Sequence, residues 1–515
     1  MNVPLTIGDF LERAALIYRD RIGAVDEPGA PGSLGRVTYG ELHDRARAMA
    51  VGFDEMGIGA GERVAIVSPN SARFLISYFG VSGFGRVFVP INYRLNAEEI
   101  AYIVEHSGTS VVLYDPDLDE IAQRVTSAKW IRLDGIQDAE LFDPDRGRSR
   151  DPVPWQPDED ATCSINYTSG TTSRPKGVQL THRNCWINAA SFGWHMGVSD
   201  RDVLLHTLPM FHANGWGMPY ALSAMGGRHV VQRRIDGETI LERVEQEGVT
   251  LMCAAPAVVA TILAAAEARR EAGRPLPDGQ VRIVVAGAPP PSKTIERVEE
   301  ELGWEFVQIY GLTETSPLLT INRAPAEWDG LERADRARLL SRAGVPAVGV
   351  KMAVSPDGEV LARSNHVFKG YWEQPEETAQ ALEGGWFHTG DGGYEDGPYI
   401  VITDRRKDVI ITGGENVSSI EVEDVLYQHE AVAEVAVIGI PDDTWGESVL
   451  ALVVRRPGAS VSEQELIDHC RDRLAHFKAP RRVEFVDSLA RTATGKLQKY
   501  KLRQPYWEGR DRQVN

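Results

Sequence analysis

At 515 residues, the chain is too long for one compact core, and its 43% apolar and 25% charged content suits a soluble protein of more than one domain. Its 74 acidic and 55 basic residues leave a formal charge of −19, which argues against nucleic acid or an anionic membrane surface as a partner. Cys163, Cys185, Cys253 and Cys470 are widely spaced without a CxxC pair, so a disulfide scaffold and a zinc ribbon are excluded and buried, reduced thiols are expected.

The segment Met1 to Asp20 lacks a basic stretch followed by an apolar core, so no secretion signal is expected. No run approaches the ~20 apolar residues of a membrane span, so no stable membrane insertion is expected. Arg512 to Asn515 form no sorting motif, and the expected location is the cytoplasm. Gly57-Ile-Gly-Ala-Gly61 precedes a strand-like run instead of following one, which makes it a turn and not a dinucleotide fingerprint.

Apolar runs at Arg63–Val67, Ser110–Tyr114 and Val281–Ala286 predict buried strands. Segments 71–84, 96–107 and 255–272 predict crossover helices. This alternation predicts α/β layers with largely parallel sheets. Residues 142–160, rich in Asp and Pro, predict a surface loop. At Asp404-Arg-Arg-Lys-Asp408 the texture changes. Beyond it, a helix over Ile420–Tyr427, strands at Val435–Ile438 and Leu450–Val454 and a helix over 462–475 predict a small α+β unit. The fold class is therefore α/β, with a large N-terminal domain of layered sheets over residues 1–403 and a small α+β C-terminal domain over 408–515.

Four segments carry chemistry. Tyr167-Thr-Ser-Gly-Thr-Thr-Ser-Arg-Pro-Lys-Gly177 offers backbone N–H groups, hydroxyls and a lysine to phosphate oxygens. It is not a Walker A loop, because the order is Lys-Gly and Pro175 precedes the lysine. Tyr310-Gly-Leu-Thr-Glu-Thr-Ser-Pro317 follows a strand-like Glu305–Ile309 and offers an aromatic face, a hydroxyl and a carboxylate. Thr389-Gly390-Asp391 places a carboxylate after a glycine, suited to the two hydroxyls of a ribose. Arg491-Thr-Ala-Thr-Gly-Lys496 places a lysine after a glycine turn. Taken singly, each is equally compatible with a solvated turn or an ordinary surface residue.

In this order they resemble the adenylate-forming superfamily of acyl-CoA synthetases, luciferases and peptide-synthetase adenylation domains, over about residues 6 to 503. The overall texture, including Leu208-Pro-Met-Phe-His-Ala-Asn-Gly-Trp216, is most similar to fatty-acyl-CoA synthetases. The resemblance implies that Thr168, Ser169, Gly170, Thr171, Thr172 and Lys176 grip the phosphates of ATP. It implies a wall of Gly287, Ala288 and Pro289 beside adenine. Gln308, Ile309, Tyr310 and Gly311 continue the nucleotide site, with Tyr310 stacked on the base. Thr313 touches the α-phosphate, Glu314 with Thr168 holds Mg²⁺, and Asp391 with Arg405 binds the ribose. Residues 404–407 become a hinge centred on Lys407, which makes the C-terminal domain a mobile lid. Lys496 bridges the substrate carboxylate and the α-phosphate. Lys496, Glu314 and Thr313 are thus the implied catalytic residues. Gly413, Gly414 and Glu415 lie along the CoA arm, and His212, Trp216, Gly287 and Gly311 line the acyl site. Two departures are visible: Ser173 stands where the family usually has glycine, and Ala490 where proline is common.

The substrate class follows from one position. Amino-acid-activating relatives place an aspartate where this chain has His212, and no acidic residue lies between Pro209 and Arg228. A buried ammonium without a partner is costly, so an amino acid is not expected. Histidines 206 and 212 are six apart with no HExxH, so metal ligation by protein histidines is not expected either. The expected activity is ATP-dependent ligation of a medium- or long-chain, or bulky hydrophobic, carboxylic acid to CoA. The expected requirements are ATP, Mg²⁺ and CoA, and homodimers are common among relatives. An amide synthetase delivering the acyl group to an amine, a catalytically silent nucleotide-binding protein and a luciferase-like oxygenase are the alternatives.

Overall fold

Unbroken apolar runs become the central strands of two large sheets. In the computed structural model, residues 1–168, 175–405, 408–413, 415–442, 444–491 and 497–508 are described. Arg63–Val67 is a strand flanked in parallel by Val87–Ile91 and Thr109–Tyr114, and both its faces are buried. That is why the run reads as continuously apolar instead of alternating. The seven-stranded sheet it centres ends in the antiparallel hairpin Thr162–Thr168 and Lys176–Thr181, with Gly370–Tyr371 at the edge.

A nine-stranded sheet packs beside it, with Val203–His206, Leu251–Ala254, Arg282–Val285 and Glu305–Gly311 parallel at its centre. The helix His182–Met196 leaves the hairpin of the first sheet. Thr181 caps it, accepting from Asn184 N, and Gly197 ends it in the left-handed region at φ 61°. Such a cap is worth about 1 kcal/mol. Phe74, Tyr78, Phe88, Phe192 and Tyr220 lie in the same apolar core.

The predicted helices 71–84, 96–107 and 255–272 appear as Ala72–Ser77 continued by a π turn over Tyr78–Ser82, Ala97–Ser107 and Pro256–Glu271. Two features depart from expectation. Within 142–160, Pro144–Ser149 is a helix, with Asp143 as its cap, and it packs on Tyr39–Glu55. Six residues are too few to show a helical period, so composition alone suggested a loop. Val350–Val354, Glu359–Ser364, Phe387–Asp396 and Tyr399–Arg405 form a separate four-stranded antiparallel sheet, which the alternation read as more of the same layers.

The last part is the small α+β unit. Its five-stranded sheet pairs Val432–Asp442 with Gly446–Arg455 and covers its inner face with Ser419–Tyr427 and Glu463–Arg471. Ile410, Val435, Val437, Val449, Ala451 and Leu466 form a core of its own. All four cysteines are buried and free. Among the described residues no helix is long and apolar enough to cross a membrane.

Candidate active site

The phosphate-loop motif sits at the open end of a hairpin. Thr168 and Lys176 face each other across the last described rung of the ladder. Ser169, Gly170, Thr171 and Thr172 lie between them, outside the described residues, as do Lys407, Gly414 and Lys496. Lys176 directs its ammonium over the ring of Tyr371, 4.8 Å from the centroid. Tyr371 donates its hydroxyl to Glu314 Oε1 at 3.0 Å. A continuous path therefore runs from the hairpin mouth through Tyr371 to the carboxylate of the Tyr310–Pro317 motif. Burial, reinforced by the Glu314 charge, raises the Tyr371 phenol far above its ordinary range, so it remains a donor.

That motif begins on the strand Glu305–Gly311, whose Gln308 and Ile309 are buried. Its neighbour Arg282–Val285 runs parallel, with Val285 opposite Gln308, so Gly287, Ala288 and Pro289 leave their strand beside Tyr310. This is the carboxyl edge of parallel strands, where open α/β sheets bind ligands. Gly311 must be glycine: a Cβ there would lie 1.6 Å from Pro317 O. The backbone then turns through Thr313–Thr315 and exposes part of Thr313 and Glu314.

The antiparallel sheet supplies the third element. Tyr310 donates its hydroxyl to Asp391 Oδ2 at 2.7 Å, and Arg405, the cross-strand partner of Asp391, approaches Oδ1 at 3.3 Å. Asp391 is buried, its carboxylate oxygens meet these two partners, and its backbone N–H donates to Thr389 Oγ1. Burial, with the Asp391 charge, keeps the Tyr310 phenol protonated. The hydroxyl bond also anchors the end of the ring beside Asp391.

The loop after Leu208 is unusual. Ala213, Asn214, Gly215 and Trp216 have φ of 37°, 47°, 58° and 63°, a left-handed turn. Trp216 is buried and His212 half-buried. Gly413 and Glu415 belong elsewhere, to the hairpin Ile410–Thr412 and Glu415–Val417 of the small domain. Gly413 N donates to Trp445 O at 2.8 Å, and Trp445, 44% exposed, carries the Arg481 guanidinium 4.7 Å above its ring.

Residues 11–372 match the family described as AMP-binding enzyme, well over half of the chain. The chain belongs to the AMP-binding enzyme family. Residues 421–496 match the AMP-binding enzyme C-terminal domain. A 4-hydroxybutyrate–CoA ligase of Metallosphaera sedula is 37% identical over 96% of this chain and 93% of the relative. A 2-methylpropanoate–CoA ligase of Humulus lupulus is 37% identical, covering 97% and 95%. Among solved structures, an anthranilate CoA ligase in complex with anthranoyl-AMP superposes with a TM-score of 0.86 over 98% of both chains at 26% identity. A Mycobacterium tuberculosis fatty acyl CoA synthetase gives 0.72 at 32% identity, covering 98% of this chain and 99% of that one. Fatty-acyl-CoA synthetases are thus one likeness among several.

Three residues of this AMP-binding enzyme were not legible as site candidates. Tyr371 sits in a two-residue strand with no motif around it, although an aromatic after Gly370 hints at an exposed edge. Trp445 and Arg481 come together only through the small sheet, from positions with no sequence signal of contact.

Proposed function

We propose that this AMP-forming acid–CoA ligase, which uses ATP, Mg²⁺ and CoA, activates a hydrophobic carboxylic acid of medium or long chain, or of bulky shape. The observation that carries the site assignment is the meeting of three sheets at two linked groups, Lys176 with Tyr371 and Glu314, and Tyr310 with Asp391 and Arg405. Tyr310 presents a face to adenine, between Gln308, Ile309 and Gly311 on its own strand and Gly287, Ala288 and Pro289 on the next. Asp391 and Arg405 take the ribose hydroxyls. Thr168, Lys176 and residues 169–172 hold the β- and γ-phosphates, and Thr313 the α-phosphate. One carboxylate, Glu314, and one hydroxyl, Thr168, fit Mg²⁺, which keeps most of its ligands as water and phosphate oxygens and offsets phosphate charge when bound.

In the first step a carboxylate oxygen of the acid bonds to the α-phosphorus, and the bond from that phosphorus to the bridging oxygen breaks. Pyrophosphate leaves with that electron pair. The role assigned to Lys496 is to offset the repulsion between the two anions. In the second step the CoA sulfur, having lost its proton, attacks the acyl carbon, and AMP leaves. Gly413, Gly414 and Glu415 guide the pantetheine arm, while the exposed face of Trp445 and the Arg481 cation suit a nucleotide base and its phosphate. The same small domain supplies both Lys496 and Gly413, so it rotates between steps about a hinge at 404–407, centred on Lys407.

His212 and Trp216 wall the acyl pocket. Support for a hydrophobic acid is that Met210, Phe211, Ala213, Trp216, Met218 and Tyr220 are all buried around that turn. No acidic residue lies between Pro209 and Arg228 to pair a substrate ammonium. A second reading, a four-carbon acid, is favoured by the names of the Metallosphaera and Humulus relatives. A cytoplasmic location and a homodimer accompany the proposal. The test is CoA-dependent AMP release with saturated acids from butyrate to palmitate, 2-methylpropanoate, 4-hydroxybutyrate and substituted benzoates. A preference for octanoate and longer, or for the aromatic acids, supports the first reading; a maximum at four carbons selects the second.

A further inference from the structure

Four consecutive left-handed residues, three of them not glycine, need something to hold them. In each non-glycine residue there, Cβ crowds the following carbonyl oxygen. The structure supplies one central clamp. Asn188, fully buried on the helix His182–Met196, donates its Nδ2 to Trp216 O at 3.3 Å. Its Oδ1 accepts from Leu318 N at 3.1 Å. One side-chain amide therefore ties the last residue of the turn to the strand Leu318–Arg323, which continues from the Tyr310–Pro317 motif. Gly217 follows the turn at φ 80°, and a Cβ there would lie 2.3 Å from Asn188 Nδ2. Lesser ties share the work: Asn214 Nδ2 donates to Ser164 Oγ at 2.8 Å, and Asn70 Nδ2 donates to Leu208 O at 3.0 Å while its Oδ1 accepts from Met210 N at 2.7 Å.

We infer that Asn188 is a positioning residue that sets acid selectivity by fixing Trp216 against the nucleotide side of the site. The inference rests on the reading of Trp216 as a wall of the acyl pocket. Asn188 touches no substrate. The two hydrogen bonds hold the turn in this strained conformation. Trp216 swings with the turn, so the depth of the pocket follows the state of the clamp, while the Lys176, Tyr371 and Glu314 path is left alone.

The test uses Asn188→Asp in the full chain. The carboxylate keeps an acceptor for Leu318 N and loses the donor to Trp216 O. The ratio of kcat/KM for octanoate to that for butyrate is expected to change roughly five- to tenfold, the scale of one lost hydrogen bond. KM for ATP is expected to stay within about twofold of the parent. Gly217→Ala, which pushes the amide off Trp216 O, is expected to shift the ratio in the same direction. Equal loss for both acids, an unchanged ratio, or failure of both variants to fold would overturn the inference, since the clamp would then serve only the fold. Trp216→Phe separates the two claims. If it shifts the ratio and the Asn188 variant does not, only the inference fails; if it too leaves the ratio unchanged, the acyl-wall reading fails.

Discussion

Asp424 accepts from both the backbone N–H and the hydroxyl of Ser292, at 2.9 and 3.2 Å, across the boundary between the two domains. Ser292 opens the helix Ser292–Arg297 of the large domain, a few residues past Gly287, and Asp424 lies on Ser419–Tyr427 of the small one. A carboxylate at a helix N-terminus is stabilising by about 0.3–1 kcal/mol. The contact holds one arrangement of the domains. Asp424→Ala is expected to shift the population between arrangements about two- to fivefold, the size of that contribution. The ratio of adenylation to thioesterification rates, timed separately, should change while KM for the acid does not. An unchanged ratio would remove Asp424 from domain positioning.

Tyr371→Phe tests the link between the hairpin and Glu314. Losing a hydroxyl that orients a metal-binding carboxylate costs about 10–100-fold in metal affinity or activity. The expected result is a higher Mg²⁺ requirement for adenylation with little change in acid preference. A normal Mg²⁺ titration would mean that Glu314 is oriented by other groups.

The half-reactions give a sharper test of Lys496. Lys496→Ala is expected to lower adenylation by about 10²–10³, the usual effect of removing one preorganised charge stabiliser. Thioester formation from a supplied acyl-adenylate should survive. Equal loss of both steps would contradict the proposed rotation.

A buried histidine pair gives the fold a pH limit. His206 Nε2 and His229 Nδ1 are 2.9 Å apart with stacked rings, and His229 Nε2 lies 3.0 Å from Ser223 Oγ. Burial pulls His206 down to about 3 and, with His206 alongside, His229 well below 6.5. Both are neutral in the folded state, and the unfolded chain takes up protons below about 6.5. Stability is therefore complete above that pH and falls as pH drops from there towards 3, by up to about 1.4 kcal/mol per pH unit for each histidine. Urea midpoints at pH 7.5 and 5 should show the drop, and His229→Gln should make it smaller. Equal slopes in parent and variant would place the acid sensitivity elsewhere.

Much of this architecture is written locally. Arg63–Val67 is apolar because it is buried on both faces, and the helix over 96–107 announces itself through Asn96 and Glu99, which cap each other reciprocally. The motif residues Thr168, Lys176, Tyr310, Glu314 and Asp391 are legible because their types follow from phosphate, base and ribose chemistry. What joins them is not local. Tyr371 meets Glu314 across 57 residues, and Asn188 meets Leu318 across 130. Neither pair has a spacing or period to reveal it. The left-handed turn at Ala213–Trp216 was hidden for a different reason: Asn214 and Gly215 tolerate positive φ, but Ala213 and Trp216 do not signal it, so tertiary hydrogen bonds are needed to explain it.

The most direct test of the account follows labelled pyrophosphate and α-labelled ATP with a panel of acids, with and without CoA. The account predicts acid-dependent exchange of pyrophosphate into ATP without CoA, and stoichiometric AMP and acyl-CoA once CoA is added. Release of ADP, or no exchange with any acid alongside intact ATP binding, would contradict it.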